Sequence, residues 1–177
     1  IATPVCLGLR SLKSAGMTEE YESLREDFIK LGDTYVANGL NYPRHEVNYE
    51  QSIVAPALIV LTQLYIETGM QKYLDEAERQ IPILEAFGGF QPSYHLNDIS
   101  IRHWDGYWFG KHEMWGDTFP HYWSTLTGVV YYYYYQCYQD GKLQPELHTD
   151  YEKRAKNIVR NNLCLFTEDG RGSCAYM

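Results

Sequence analysis

The sequence predicts an all-α protein built of helical hairpins. Apolar residues recur at spacings of three and four along five separate stretches, the period of a helix with one buried face. Glycines stand where those stretches stop, at Gly39, Gly69 and Gly141. The order apolar helix, glycine, amphipathic helix occurs twice, which marks a repeated hairpin. At 177 residues the chain suits one domain, residues 1–177, with a core large enough to need no disulfide staples.

The elements follow in order. Residues 1–16 are weakly patterned and read as a lead-in or a stretch exchanged with a partner. The first predicted helix starts at Thr18, its expected cap, with Glu19 and Glu20 on the positive end of the dipole. Its stripe is Tyr21, Leu24, Phe28, Leu31 and Tyr35, and Gly39 ends it. The second helix is capped by Asn48, with Gln51 three residues on, and runs to Gly69. It is apolar on most faces and is expected to be buried; Pro56 kinks it or marks its true start. The third, Gln71 to Phe87, sets Tyr73, Leu74, Ala77, Ile81 and Leu84 against a wet face of Asp75, Glu76, Glu78 and Arg79. Residues 88–119 break the helical period, a long aromatic loop with room for two short strands, around Ile99–His103 and Tyr107–Phe109. The fourth helix starts near Thr118–Pro120 and ends at Gly141. Its run Tyr131–Tyr135 covers every face, so neighbours are expected to enclose it. The fifth is capped by Thr149 with Glu152 and carries Tyr151, Ala155, Ile158, Val159 and Leu163. Glu168–Ser173 is a glycine-rich loop. The second and fourth helices are expected inside, the third and fifth outside.

The repeat aligns Leu64-Tyr65, Gly69, Tyr73 and Ala77 with Cys137-Tyr138, Gly141, Tyr151 and Ala155. The phrase Leu61-Thr-Gln-Leu-Tyr-Ile-Glu-Thr-Gly69 followed by Tyr73-Leu-Asp-Glu-Ala77 resembles the hairpin of the six-hairpin glycosidase superfamily, the (α/α) toroid carbohydrate-active enzymes. The resemblance covers about residues 18–166. It implies an incomplete toroid, with the long aromatic loop on the substrate side. The chain opens at Ile1 without an initiator Met and reads as a piece of a longer toroid domain; cytoplasmic and secreted locations both fit.

Composition narrows the functions. A formal net charge of −8 argues against nucleic acid as partner. No apolar run is long enough to cross a bilayer, so no membrane partner is expected. The 17 Tyr and 4 Trp beside an acidic charge fit either a sugar-stacking surface or core. Cys6, Cys137, Cys164 and Cys174 show no metal-ligand spacing and read as buried thiols.

Chemistry concentrates in His103-Trp-Asp-Gly-Tyr-Trp-Phe-Gly-Lys-His-Glu-Met-Trp-Gly-Asp117. Glycoside hydrolysis uses two carboxyl groups, one a proton donor with a raised pKa. Indoles supply both a stacking platform and the desolvation that raises a carboxyl pKa. Glu113 is the first candidate for general acid, flanked by Phe109, Met114 and Trp115. Asp105 is second; Asp117 is a third carboxylate that also suits a helix cap. Trp104, Trp108 and Trp115 are the expected sugar platforms. His112-Glu113 opens like H-E-x-x-H, but Gly116 stands where the second His belongs, so no metal is expected. No cofactor is expected either, because Gly170-Arg171-Gly172 lacks the strand-to-helix setting of a phosphate loop.

Three functions follow. The first is a glycoside hydrolase acting on an oligosaccharide or polysaccharide. The second is a lyase or epimerase on an acidic sugar, with His112, His121 and Tyr122 moving the proton and Arg44 binding the sugar carboxylate. The third is a non-catalytic module that binds a sugar or a protein. Uncovered apolar surface of a partial ring should also favour self-association, as a dimer.

Overall fold

The computed structural model describes residues 2–39, 51–86, 88–91, 96–100, 124–139, 145–163 and 166–172. Six helices pair into three antiparallel hairpins: α1 (Ala2–Ser14) with α2 (Thr18–Asn38), α3 (Gln51–Thr68) with α4 (Gln71–Ala86), and α5 (Ser124–Cys137) with α6 (Pro145–Asn162). Helices α1, α3 and α5 form the inner row, α3 packing on both of the others. Helices α2, α4 and α6 lie outside. The chain is thus an all-α arc of helical hairpins, an incomplete toroid.

The first hairpin corrects the reading of residues 1–16. They form α1, packed on α2 and α3, with Ala2, Cys6 and Leu9 buried. Those three positions do keep helical spacing, but two are small and Gly8 sits between, so the stripe is faint. Gly8 faces α2 with room to spare: a Cβ there would lie 3.9 Å from Leu24, an ordinary contact. Helix α2 has the predicted stripe, with Phe28 buried and Tyr21, Leu24, Leu31 and Tyr35 packed against the core. Its cap differs. Met17 occupies the N-cap position with no side-chain bond, and Thr18 is already helical. Gly39, at φ 52°, closes α2 by donating its N–H to the Tyr35 carbonyl.

Helix α3 is the core of the arc, as its sequence implies; Val54, Ala55, Ala57, Leu58, Leu61 and Leu64 are buried. It continues on both sides of Pro56, so that proline does not mark its start. Asn48 lies outside the described residues. Helix α4 buries the five predicted residues and one unexpected acid: Glu76 is 3% exposed. Its carboxylate accepts from Arg79 Nη1 at 2.7 Å and Gln80 Nε2 at 2.8 Å, which offsets the cost of burying a charge.

Helix α5 buries Tyr131 and Tyr134, but Tyr132 is 49% exposed, so neighbours do not enclose every face. Helix α6 begins at Pro145, a residue suited to the first helical turn because its missing N–H would have no partner there. The predicted cap Thr149 lies inside the helix. The inner and outer order holds: Lys153, Lys156 and Arg160 of α6 face water.

One strand prediction is half met. Strands β1 (Gly88–Gln91) and β2 (Leu96–Ser100) pair antiparallel, Gly88 opposite Ser100. Ile99–Ser100 falls in the first predicted strand, but its partner is the glycine-rich stretch upstream; residues 107–109 lie outside the described residues. Near the C-terminus Phe166 bridges Gly172 around a turn with Gly170 at φ 82°.

Tyrosines join the hairpins. Tyr21 donates to Glu67 at 2.6 Å, Tyr73 to Asp33 at 2.8 Å, Tyr151 to Glu85 at 2.8 Å, and Tyr138 to Glu78. Arg154 adds an ion pair to Glu85 at 2.6 Å and lies 4.7 Å over the Tyr131 ring. In these pairs the aromatic surplus and the acid surplus meet at helix joints: each ring fills core volume, and each hydroxyl reaches an acid at the rim.

These joints set an alkaline limit. Burial, and for Tyr138 and Tyr151 also the carboxylate each one serves, pushes both phenols well above the ordinary 10.0. Burial pushes Tyr134, Cys6 and Cys137 up to about 12. A raised folded pKa gives stability that is complete below the unfolded value and is lost as pH rises past it. The melting midpoint should therefore be level up to about pH 9 and fall above it, with the tyrosinate absorbance of the buried phenols rising only as helicity is lost, after that of exposed tyrosines such as Tyr132. Full tyrosinate absorbance from all 17 tyrosines with helicity retained would contradict the buried joints.

Candidate functional site

Every residue the sequence nominates for chemistry lies outside the described residues: Arg44, Trp104, Asp105, Trp108, His112, Glu113, Trp115, Asp117, His121 and Tyr122. The structure describes the helices that hold their segments. Tyr21 of α2 meets Glu67 near the end of α3, so these two helices are antiparallel. Cys137, ending α5, donates to the Thr62 carbonyl in the second half of α3 at 3.6 Å, so the inner helices run parallel. Tyr134 meets Tyr151 with ring centroids 4.9 Å apart, and Gly128 faces Ile158, so α6 runs against α5. The C-terminal ends of α2, α4 and α6 and the N-terminal ends of α3 and α5 therefore point the same way. The helix ends that flank the candidates in sequence, those of α2 and α3 around 40–50 and those of α4 and α5 around 87–123, are on that one side. Only two residues, Gly69 and Met70, separate α3 from α4 on the other.

That side is where a rigid scaffold presents long connections, the usual place for binding groups. Among the described residues no cluster of His, Cys, Asp and Glu is placed to hold a metal, and no helix is long and apolar enough to cross a membrane.

The described residues also form a groove along the third hairpin. A groove of about 780 Å³ runs between α5 and α6, over Gly128, Val129, Tyr132, Tyr133, Val159 and Leu163, with Glu152, Lys156 and Arg160 on its rim. Its floor is apolar, and Val159 and Leu163 are 62% and 63% exposed. The sequence analysis names both among the apolar residues that this helix carries. They do continue the stripe of Tyr151, Ala155 and Ile158, yet they stay largely exposed.

Three hairpins with inner helices in one row define an arc of the helical-toroid class. No protein-family model matches the sequence, and no curated protein matches it. A solved structure does: a polysaccharide lyase, 70% identical over 98% of this chain, with a TM-score of 0.80. The chain spans 25% of that protein's length.

Proposed function

We propose that the chain is part of the helical toroid of a polysaccharide lyase, an enzyme that cleaves an acidic polysaccharide by β-elimination. The observation that carries this is the 70% identity over 98% of the chain to the solved polysaccharide lyase. Membership in the wider six-hairpin superfamily fits the hairpin arc and belongs to the same proposal. The likeness favours the elimination alternative over hydrolysis, and the roles of the candidate residues shift accordingly.

Elimination next to a carboxylate needs three things. A base takes the proton from the carbon that bears the carboxyl group of the sugar acid. The electron pair left behind forms a double bond to the neighbouring carbon. The glycosidic oxygen on that neighbour departs with the bonding pair and takes a proton from an acid; no water is consumed. The carbon acid is weak, so a cation on the substrate carboxylate is essential to spread the developing charge. Arg44 suits that task. His112, His121 and Tyr122 are of the residue types that move such protons near neutral pH. Trp104, Trp108 and Trp115 supply stacking faces for the flanking sugars, and Asp105, Glu113 and Asp117 become structural or substrate-orienting groups.

The product distinguishes the readings. A longer chain carrying this stretch, given uronate-containing polysaccharides, should release oligosaccharides whose new non-reducing ends absorb in the ultraviolet as unsaturated uronates. New reducing ends without that absorbance would mean hydrolysis, restoring Glu113 and Asp105 as the acid pair. Binding without cleavage of any acidic or neutral polysaccharide would leave the module reading.

A further inference from the structure

We propose that Glu76 and Gln80 of α4 form the seat of the connection that runs from Gly39 to Gln51 and carries Arg44, which makes this buried pair a positioning site for that arginine. The seat rests on geometry alone; what Arg44 then does rests on the lyase reading above.

Helix α2 ends on this pair. Gly39 is buried, with φ 52° and ψ −130°, a positive-φ conformation that glycine adopts most readily. A Cβ on it would stand 3.5 Å from Glu76 Oε1 and 3.8 Å from Arg79 Nη2. The chain therefore leaves α2 against the Glu76 carboxylate. That same oxygen accepts from Gln80 Nε2 at 2.8 Å. A carboxylate only accepts, so the Gln80 amide is fixed with its nitrogen toward Glu76, and its oxygen is the atom left over. Gln80 is 0% exposed, and its Oε1 meets no donor among the described residues. A buried acceptor without a donor is costly, and this one lies within an amide group of the point where the connection begins.

Packing does not call for a polar residue here. The repeat that aligns Tyr73 and Ala77 with Tyr151 and Ala155 equates Gln80 with Ile158. Ile158 is 1% exposed and lies against Gly128, so an apolar side chain fills this register in the third hairpin. The same repeat equates Gly128 with Ala55 and so turns Gln80 toward the first turns of α3. The pair thus lies between the residue where the connection begins and the helix where it ends. A backbone N–H of the connection is the donor that suits Gln80 Oε1, because it satisfies a buried oxygen without bringing a charge. Held there, a few residues from Arg44 in sequence, the connection fixes where the guanidinium leaves the bundle. The substrate carboxylate then meets a cation already in place.

Trypsin tests the seat. The protein is a longer chain carrying this stretch, and the variant combines Glu76→Met with Gln80→Met, which keeps side-chain volume and removes both polar groups together. Arg44 is the only Lys or Arg between Lys30 and Lys72, so a cut after it reports on the connection. That cut should be at least ~10-fold faster in the double variant, the change in an opening equilibrium when a bond to a buried group is lost. The cut after Lys30 in α2 should keep its rate. Elimination should fall while Arg44 is present and fall no further once Arg44→Ala has been made, because the pair acts through Arg44. Where the double variant does not fold, Gln80→Met alone should give the same selective cut. An unchanged cut after Arg44 overturns the proposal. So does equal acceleration after Lys30, which marks a general loosening of the bundle. An activity loss of the same size with and without Arg44 overturns the positioning role. A longer chain that releases no unsaturated ends fails the lyase reading, and the cut after Arg44 then decides the seat by itself.

Discussion

Tyr122→Phe and His112→Ala are each expected to lower elimination by ~10²- to 10⁴-fold in an active longer chain, the scale of losing a positioned proton-transfer group. The readout is the rate of unsaturated-uronate absorbance at saturating polysaccharide. Binding should change little, because neither group is assigned to the carboxylate. Arg44→Ala is expected to act on both terms, since its charge holds the substrate and stabilises the carbanion-like transition state more strongly. Glu113→Gln separates the mechanisms. Elimination needs no second carboxyl, so the variant should keep its rate within a few-fold; a ~10²-fold or greater loss would return Glu113 to the role of general acid in hydrolysis. Full activity of both Tyr122→Phe and His112→Ala would remove these residues from the proton path.

Why the site can be nominated but the arc derived follows from what each part depends on. Helix α4 could be read residue by residue, because Tyr73, Leu74, Ala77, Ile81 and Leu84 form an uninterrupted stripe whose burial needs only one facing helix. Helix α1 was missed because its buried positions, Ala2 and Cys6, are small, so its signal comes from close approach to α2 and α3, a tertiary fact. Glu76 was placed in water because a charge is cheap there; its burial depends on Arg79 and Gln80, both one turn further along the helix. Val159 and Leu163 share the apolar pattern of Tyr151, Ala155 and Ile158 but are exposed, because a stripe predicts a partner face, not which segment provides it. The candidate residues themselves sit in connections without helical period, where residue type suggests chemistry but spacing fixes no geometry. The direction of the flanking helices sets only the ends of those connections on one side.

Gly32→Ala should destabilise the chain by about 1–3 kcal/mol, the usual cost of overpacking a filled site, even though alanine is the better helix former by about 1 kcal/mol. Gly32 is buried on the face of α2 that meets α3 and α4. A Cβ there would stand 2.1 Å from Leu64 Cδ1 and 2.9 Å from Tyr73 Cε1. Neither neighbour has room to give, since both are fully buried. The Tyr73 ring is also held by its hydroxyl bond to Asp33, whose carboxylate takes Lys72 at 2.5 Å. Relief therefore requires α2 to tilt away, which opens the α2–α4 joint and moves Gly39, the start of the segment that carries Arg44. A melting midpoint lower by several degrees is expected, at about 2–4 °C per kcal/mol for a chain of this size. Gly8→Ala is the matched control: its nearest side-chain atom stands at 3.9 Å, so the midpoint should hold or rise. Pairing Gly32→Ala with Leu64→Ala should cost less than the sum of the two, because the second change vacates the space the first one fills. Strict additivity, or a Gly32→Ala protein as stable as the parent, would mean that α2 does not pack on Leu64 and Tyr73 as described.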